Sequence, residues 1–110
     1  MVSIKKYSEK WVKGEVVKLL KEAGAYYFYP VASGYMSRGV PDIVVCYKGK
    51  FIGIECKAGY NKPTVIQKRN LESIEAMGGI ALVINETNLD LVAKTINSIK
   101  ENDDDHRELG

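Results

Sequence analysis

Residues 41–57 read PDIVVCYKGKFIGIECK, and the turn at their centre decides the fold. Lys48-Gly49 is a two-residue connection with glycine second, the chemistry of a tight β-hairpin. The flanking runs are rich in β-branched residues, so Pro41 to Tyr47 and Lys50 to Lys57 are expected to be paired antiparallel strands. If Tyr47 faces Lys50, paired positions sum to 97 and Asp42 falls directly opposite Glu55. Such residues share a face, with Cβ atoms about 4.5–5.5 Å apart. Lys57, two residues beyond Glu55, points the same way, and Gly53 on that face is expected to leave space beside the acids.

Two carboxylates held this close repel. At about 5 Å the cost is about 1 kcal/mol in water and about 3 kcal/mol at an effective dielectric of 20. A protein keeps such a pair when a cation sits between the acids or when they share a proton. The plainer reading is a loose Lys–Glu–Asp cluster on an exposed hairpin face. Against it, Ile43, Val44, Val45, Ile52 and Ile54 make the surrounding strands apolar, so these polar residues interrupt a buried sheet. Carboxylate and carbonyl oxygens suit a hard divalent ion, Mg²⁺ or Mn²⁺. Asp42 and Glu55 are the expected ligands, with the Cys56 backbone carbonyl as a third. Lys57 is expected to orient an attacking water or stabilise charge developing on a phosphate.

Working outward, Ser8 to Gly24 has helical spacing of Val12, Val16, Leu19, Leu20 and Ala23, with Gly24 as the C-terminal cap. Aromatic and valine-rich residues 25–32 read as a strand, and residues 33–40 as a glycine-containing loop. Beyond the hairpin, residues 58–63 read as a loop. Thr64 to Met77 reads as a helix, with Thr64 and Gln67 spaced as a capping box. After a Gly78-Gly79 break, Ile80 to Asn85 reads as a strand buried on both faces. Thr87 to Lys100 reads as a second capped helix. The order α-β-β-β-α-β-α implies an α/β fold, one mixed central sheet flanked by helices. Residues 1–100 are expected to form a single domain and 101–110 an acidic, disordered tail.

Composition narrows the chemistry. A single histidine, His106, in that tail argues against a histidine-based nuclease, a Ser-His-Asp triad or a histidine-zinc hydrolase. The two cysteines, Cys46 and Cys56, are too few for a disulfide framework or a four-cysteine zinc site, and read as reduced structural thiols. The formal charge of +2 hides an asymmetry: without residues 101–110, which carry five acids and one base, the remainder is near +6. That surplus suits a polyanionic partner. No apolar run spans a membrane and no signal peptide is evident, so a cytoplasmic location in a bacterial or phage-infected cell is expected.

Pro41-Asp42 followed by Glu55-Cys56-Lys57, on this element order, resembles the PD-(D/E)XK nuclease superfamily and its restriction-endonuclease-like core. More narrowly, Ser33-Gly34, residues 38–42 (RGVPD), residues 53–57 (GIECK), Gln67 and Gly78-Gly79 are similar to the virus-type replication-repair nuclease (VRR-NUC) family. That family usually has valine where Cys56 stands. The resemblance implies a homodimeric, Mg²⁺- or Mn²⁺-dependent endonuclease that cuts branched DNA such as four-way (Holliday) junctions. A general nicking or flap endonuclease and a non-catalytic nucleic-acid-binding module of the same fold are the competing readings.

The resemblance also implies a catalytic glutamate on the first helix and an active-site role for Gln67. Glu9 falls within the apolar stripe and Glu15 to its side, so Glu9 is preferred, also as a further metal ligand. A helix-start glutamate favoured by the dipole is the alternative for Glu9. For Gln67 the alternative is simple closure of the capping box. Arg38, Lys62, Lys68 and Arg69 are candidate phosphate contacts, with Ser33 beside them in the glycine loop. Tyr35 in that loop is a candidate for stacking on an unpaired base.

Overall fold

The computed structural model describes residues 7–31 and 38–109, with the backbone alone for 104–109. Its elements are α1 (Glu9–Ala23), β1 (Tyr26–Phe28), β2 (Ile43–Tyr47), β3 (Lys50–Cys56), α2 (Val65–Ala76), β4 (Ile80–Ile84) and α3 (Asp90–Leu109). This is the expected order, and the sheet runs β1-β2-β3-β4.

The hairpin has the expected register, with Tyr47 opposite Lys50 and Ile43 opposite Ile54. Lys48 and Gly49 both take positive φ, 51° and 81°, the mirror-image turn whose twist matches the flanking strands. β3 then pairs in parallel with β4 through the α2 crossover, which makes the sheet mixed. It is the α/β, mixed-sheet architecture with flanking helices expected of a restriction-endonuclease-like core.

The two faces of the sheet differ. Ile43, Val45, Tyr47, Ile52, Ile54, Cys56, Leu82 and Ile84 form one core with Val12, Val16 and Leu20 of α1 and Val92, Ile96 and Ile99 of α3. On the other face α2 packs against β3 and β4. Gly53 makes this approach possible: a Cβ there would stand 2.6 Å from Ile74 Cδ1 and 2.9 Å from Pro41 Cγ. The space expected beside the acids is therefore filled by Pro41 and Ile74.

Several boundaries differ from the reading by pattern. β1 has three residues because β2 offers it partners only at Val44, Val45 and Cys46, and Pro30 lacks the N–H that would continue a ladder. β4 is an edge strand and leaves Val83 38% exposed, so it is not buried on both faces. Thr87 does not cap α3; its hydroxyl bonds the Asn85 side chain at 2.6 Å within the turn before the helix. α3 continues to Leu109, where a disordered tail was expected. No glycine or proline interrupts residues 90–109, and Asp103 comes within 3.9 Å of Lys48 in the hairpin turn. Among the described residues, no helix is long and apolar enough to cross a membrane.

Candidate active site

The hairpin register delivers the acids. Asp42 lies just before β2, and its Oδ2 accepts the Cys56 backbone N–H at 2.8 Å. Cys56 sits where β3 outruns β2, so its N–H and C=O point toward the vacated edge instead of into a ladder. The Asp42 carboxylate takes the place of the missing strand residue, which leaves the Cys56 carbonyl directed to the same side.

Glu55 is 2% exposed and Lys57 8%, a buried acid and base on the face that α2 partly covers. Lys57 Nζ stands 3.5 Å from Glu55 Oε2. Among the described residues, Glu55 Oε1 is buried without a hydrogen-bond partner. Burial and the neighbouring Asp42 charge push the Glu55 carboxyl up to about 7, and Lys57 only partly opposes them. A buried carboxylate oxygen lacking a donor, beside a second acid, is a site short of positive charge.

That shortage fits a hard divalent cation, because the converging donors are oxygens of Asp42, Glu55 and the Cys56 backbone. Among the described residues, no three or more His, Cys, Asp or Glu side chains cluster as a ready metal cage. Glu9 therefore does not enter as a third clustered ligand.

The structure sorts the other predicted residues. Glu9 sits at the start of α1, where Ser8 caps the helix by accepting from Trp11 N–H. It is exposed, not buried in the apolar stripe as its spacing suggested, because the stripe begins only at Val12. Even so, α1 brings it to the exit of β3. Its Oε2 accepts from Asn61 Nδ2 at 3.3 Å, and its charge contributes to raising Glu55. Glu15 instead pairs with Lys18 at 2.8 Å, further along the helix.

Gln67 closes the capping box: its Oε1 accepts the Thr64 N–H at 2.9 Å, and its own N–H donates to Thr64 Oγ1 at 3.2 Å. Arg38 is exposed, and its carbonyl accepts from Asn70 of α2 at 3.0 Å. Lys62 and Lys68 line one groove of about 620 Å³ on the outer side of β4, and Arg69 is exposed nearby on α2. Ser33 and Tyr35 lie outside the described residues.

Two participants escaped the pattern reading. Glu86 accepts the Gly59 N–H with both carboxylate oxygens at 3.1 Å, fixing the turn that follows Lys57. Asn61 ties that turn to Glu9. Neither belongs to a periodic element, so only their tertiary neighbours reveal them. The same site face continues over β1 and β2, where Tyr26, Cys46 and Phe51 lie in one cross-strand row. α2 does not cover that half, and Tyr26, Phe28 and Phe51 are exposed there.

Three comparisons bear on this geometry. The family model for archaeal Holliday junction resolvases (Hjc) matches residues 8–103. A protein of Acyrthosiphon pisum secondary endosymbiont phage 1, curated as "Putative nuclease p44", is 31% identical over 90 residues, covering 81% of this chain and 95% of that protein. A solved structure described as a VRR_NUC domain protein superposes with a TM-score of 0.60, at 20% identity, over 87% of this chain and 88% of that one.

Proposed function

This chain belongs to the archaeal Holliday junction resolvase family, of the PD-(D/E)XK nuclease type, and on that premise we propose that it is a metal-dependent endonuclease of branched DNA, with four-way junctions as the preferred substrate. The family makes it a nuclease acting on DNA. The observation that carries the metal requirement is the unpartnered, buried Oε1 of Glu55 beside Asp42.

Asp42, Glu55 and the Cys56 carbonyl would hold Mg²⁺ or Mn²⁺, which supplies Lewis acidity to the phosphate and acidifies water. Asp42 is fixed for this task by the Cys56 N–H. Lys57, anchored through its own N–H to the Ile84 carbonyl at 2.9 Å, places its ammonium beside Glu55. There it stabilises negative charge as the phosphodiester bond breaks, worth most in a site from which water is excluded. Glu9 orients water at the open end of β3. Gln67, with its oxygen committed to the helix cap, has its amide nitrogen left to hold water or phosphate. Arg38, Lys62, Lys68 and Arg69 bind phosphates and position the strand.

A four-way junction requires two symmetric nicks, which two sites in a two-fold homodimer supply. The uncovered face bearing Tyr26, Phe28 and Phe51 is the surface we assign to that contact, because it continues directly from the site.

The test is incubation of the protein with labelled four-way junction, flap, nicked and linear duplex DNA, in Mg²⁺, Mn²⁺ or EDTA. Paired, nearly symmetric nicks in the junction with either ion, and none in EDTA, are expected. Full activity in chelator would remove the metal mechanism. Equal cutting of linear duplex by a protein that light scattering finds monomeric would favour the nicking alternative.

A further inference from the structure

Tyr60 stands three residues beyond Lys57 and is 85% exposed, the most exposed aromatic side chain among the described residues. Single exposed aromatics are ordinary, but three further facts distinguish this one.

The turn that carries it is held rigidly. Asn61 N–H closes the turn onto the Ala58 carbonyl at 3.2 Å, and Gly59 takes φ +60° at its first central position. Tyr60 is the second central residue, at the tip. The Glu86 carboxylate clamps Gly59 N–H at 3.1 Å, and Asn61 Nδ2 reaches Glu9 at 3.3 Å. The ring is thus presented to water from a turn fixed to both α1 and the end of β4.

It also stands between two concavities of opposite character. One, of about 390 Å³, has Tyr7 on its wall and Ser8, Glu9, Asn61 and Glu86 as polar groups. The other is the groove carrying Lys62 and Lys68. Tyr60 lines both. Finally, among the described residues, no hydrogen bond or ring contact occupies it.

We propose that Tyr60 is a base-stacking residue. An unpaired nucleobase of the bound DNA strand stacks on its ring, while the adjoining phosphates run past Lys62 and Lys68. The fixed backbone turn removes part of the ordering cost of such a contact, and the lysines complement the backbone charge. Stacking needs a base freed from its pair, so Tyr60 favours branched or single-stranded DNA over intact duplex. This rests on the nuclease reading only for the assignment of the macromolecule as DNA.

The test compares wild type, Tyr60→Ala and Tyr60→Phe in EDTA. The probes are a single-stranded oligonucleotide and a four-way junction, each with 2-aminopurine at an unpaired or branch-point position, and a matched linear duplex. Wild type and Tyr60→Phe should bind the first two and quench the base. Tyr60→Ala should lose the quenching and bind on the order of tenfold more weakly, with duplex affinity and melting temperature unchanged. Equal quenching and affinity in Tyr60→Ala would overturn the proposal, as would absence of DNA binding by wild type. Loss of protein self-association in Tyr60→Ala, with DNA binding intact, would also overturn it and assign the ring to a protein contact. Tyr60-dependent quenching by a protein that cuts no DNA with Mg²⁺ or Mn²⁺ would sink the endonuclease reading and leave this inference standing.

Discussion

Asp42 accepts the backbone N–H of Cys56 at 2.8 Å, so the acid of one hairpin strand is bonded to the residue following the acid of the other. The bond closes the end of the hairpin where the ladder stops and holds Asp42 beside Glu55. The two acids are not equivalent. Asp42 has a backbone donor, whereas Glu55 is buried with one oxygen unpartnered.

Metal-free stability should fall with rising pH. The Glu55 carboxyl is raised from 4.5 to about 7, so the folded chain keeps its proton where the unfolded chain has lost it. The contribution is fully present below about 4.5 and is lost as pH rises to about 7. The loss is at most about 3 kcal/mol. Urea titrations at pH 5 and pH 8 should show the lower midpoint at pH 8, with Mg²⁺ restoring it. A midpoint that rises over this interval, or a Glu55→Gln variant with an unchanged slope, would contradict the charge assignment.

Removing the acids should abolish cutting with opposite effects on the fold. Glu55→Gln relieves repulsion and should stabilise the metal-free protein above pH 7. Asp42→Ala strips the Cys56 N–H of its acceptor and should cost about 1–3 kcal/mol. Lys57→Ala should slow cleavage by at least about 100-fold. Junction cleavage and denaturant melts on the same preparations separate the two effects, and wild-type cleavage by any of the three counts against the site.

The two thiols should differ in reactivity. Cys46 is exposed on β2, and Cys56 is buried, with burial and the Asp42 and Glu55 charges pushing its thiol up to about 12. Iodoacetamide at pH 8, read by peptide mass spectrometry, should label Cys46 in the native protein and Cys56 only after unfolding. Native labelling of Cys56 at a comparable rate would show that the end of β3 opens readily.

Gly39 should tolerate no side chain. It takes φ +80°, and a Cβ would stand 2.7 Å from Ile66 Cγ2 and 2.8 Å from the Gln67 backbone nitrogen. Gly39→Ala must push the segment before Asp42 away from α2, for about 1–3 kcal/mol. Thermal melts and cleavage rates should drop together. An unchanged melt would mean that the close approach to α2 is dispensable.

Much of the fold was legible because its signals are local. The Lys48-Gly49 turn, the Thr64 cap and the Gly24 stop each act within a few residues, and each sits where the pattern put it. The strand and helix limits were less legible. The length of β1 depends on how many partners β2 offers, and the reach of α3 on an uninterrupted helical stretch whose acidic composition suggested a solvated tail.

The sequence alone determined the Asp42–Glu55–Lys57 constellation, because a two-residue turn fixes register and strand alternation then fixes which side chains share a face. Only the tertiary structure decided what surrounds that constellation. Pro41 and Ile74 fill the room at Gly53, α1 swings Glu9 and not Glu15 toward the exit of β3, Gln67 spends its oxygen on a cap, and Glu86 clamps the turn that holds Tyr60 in water. Each depends on contacts between elements distant in sequence, and these are set by how helices pack on a sheet, which no local periodicity encodes.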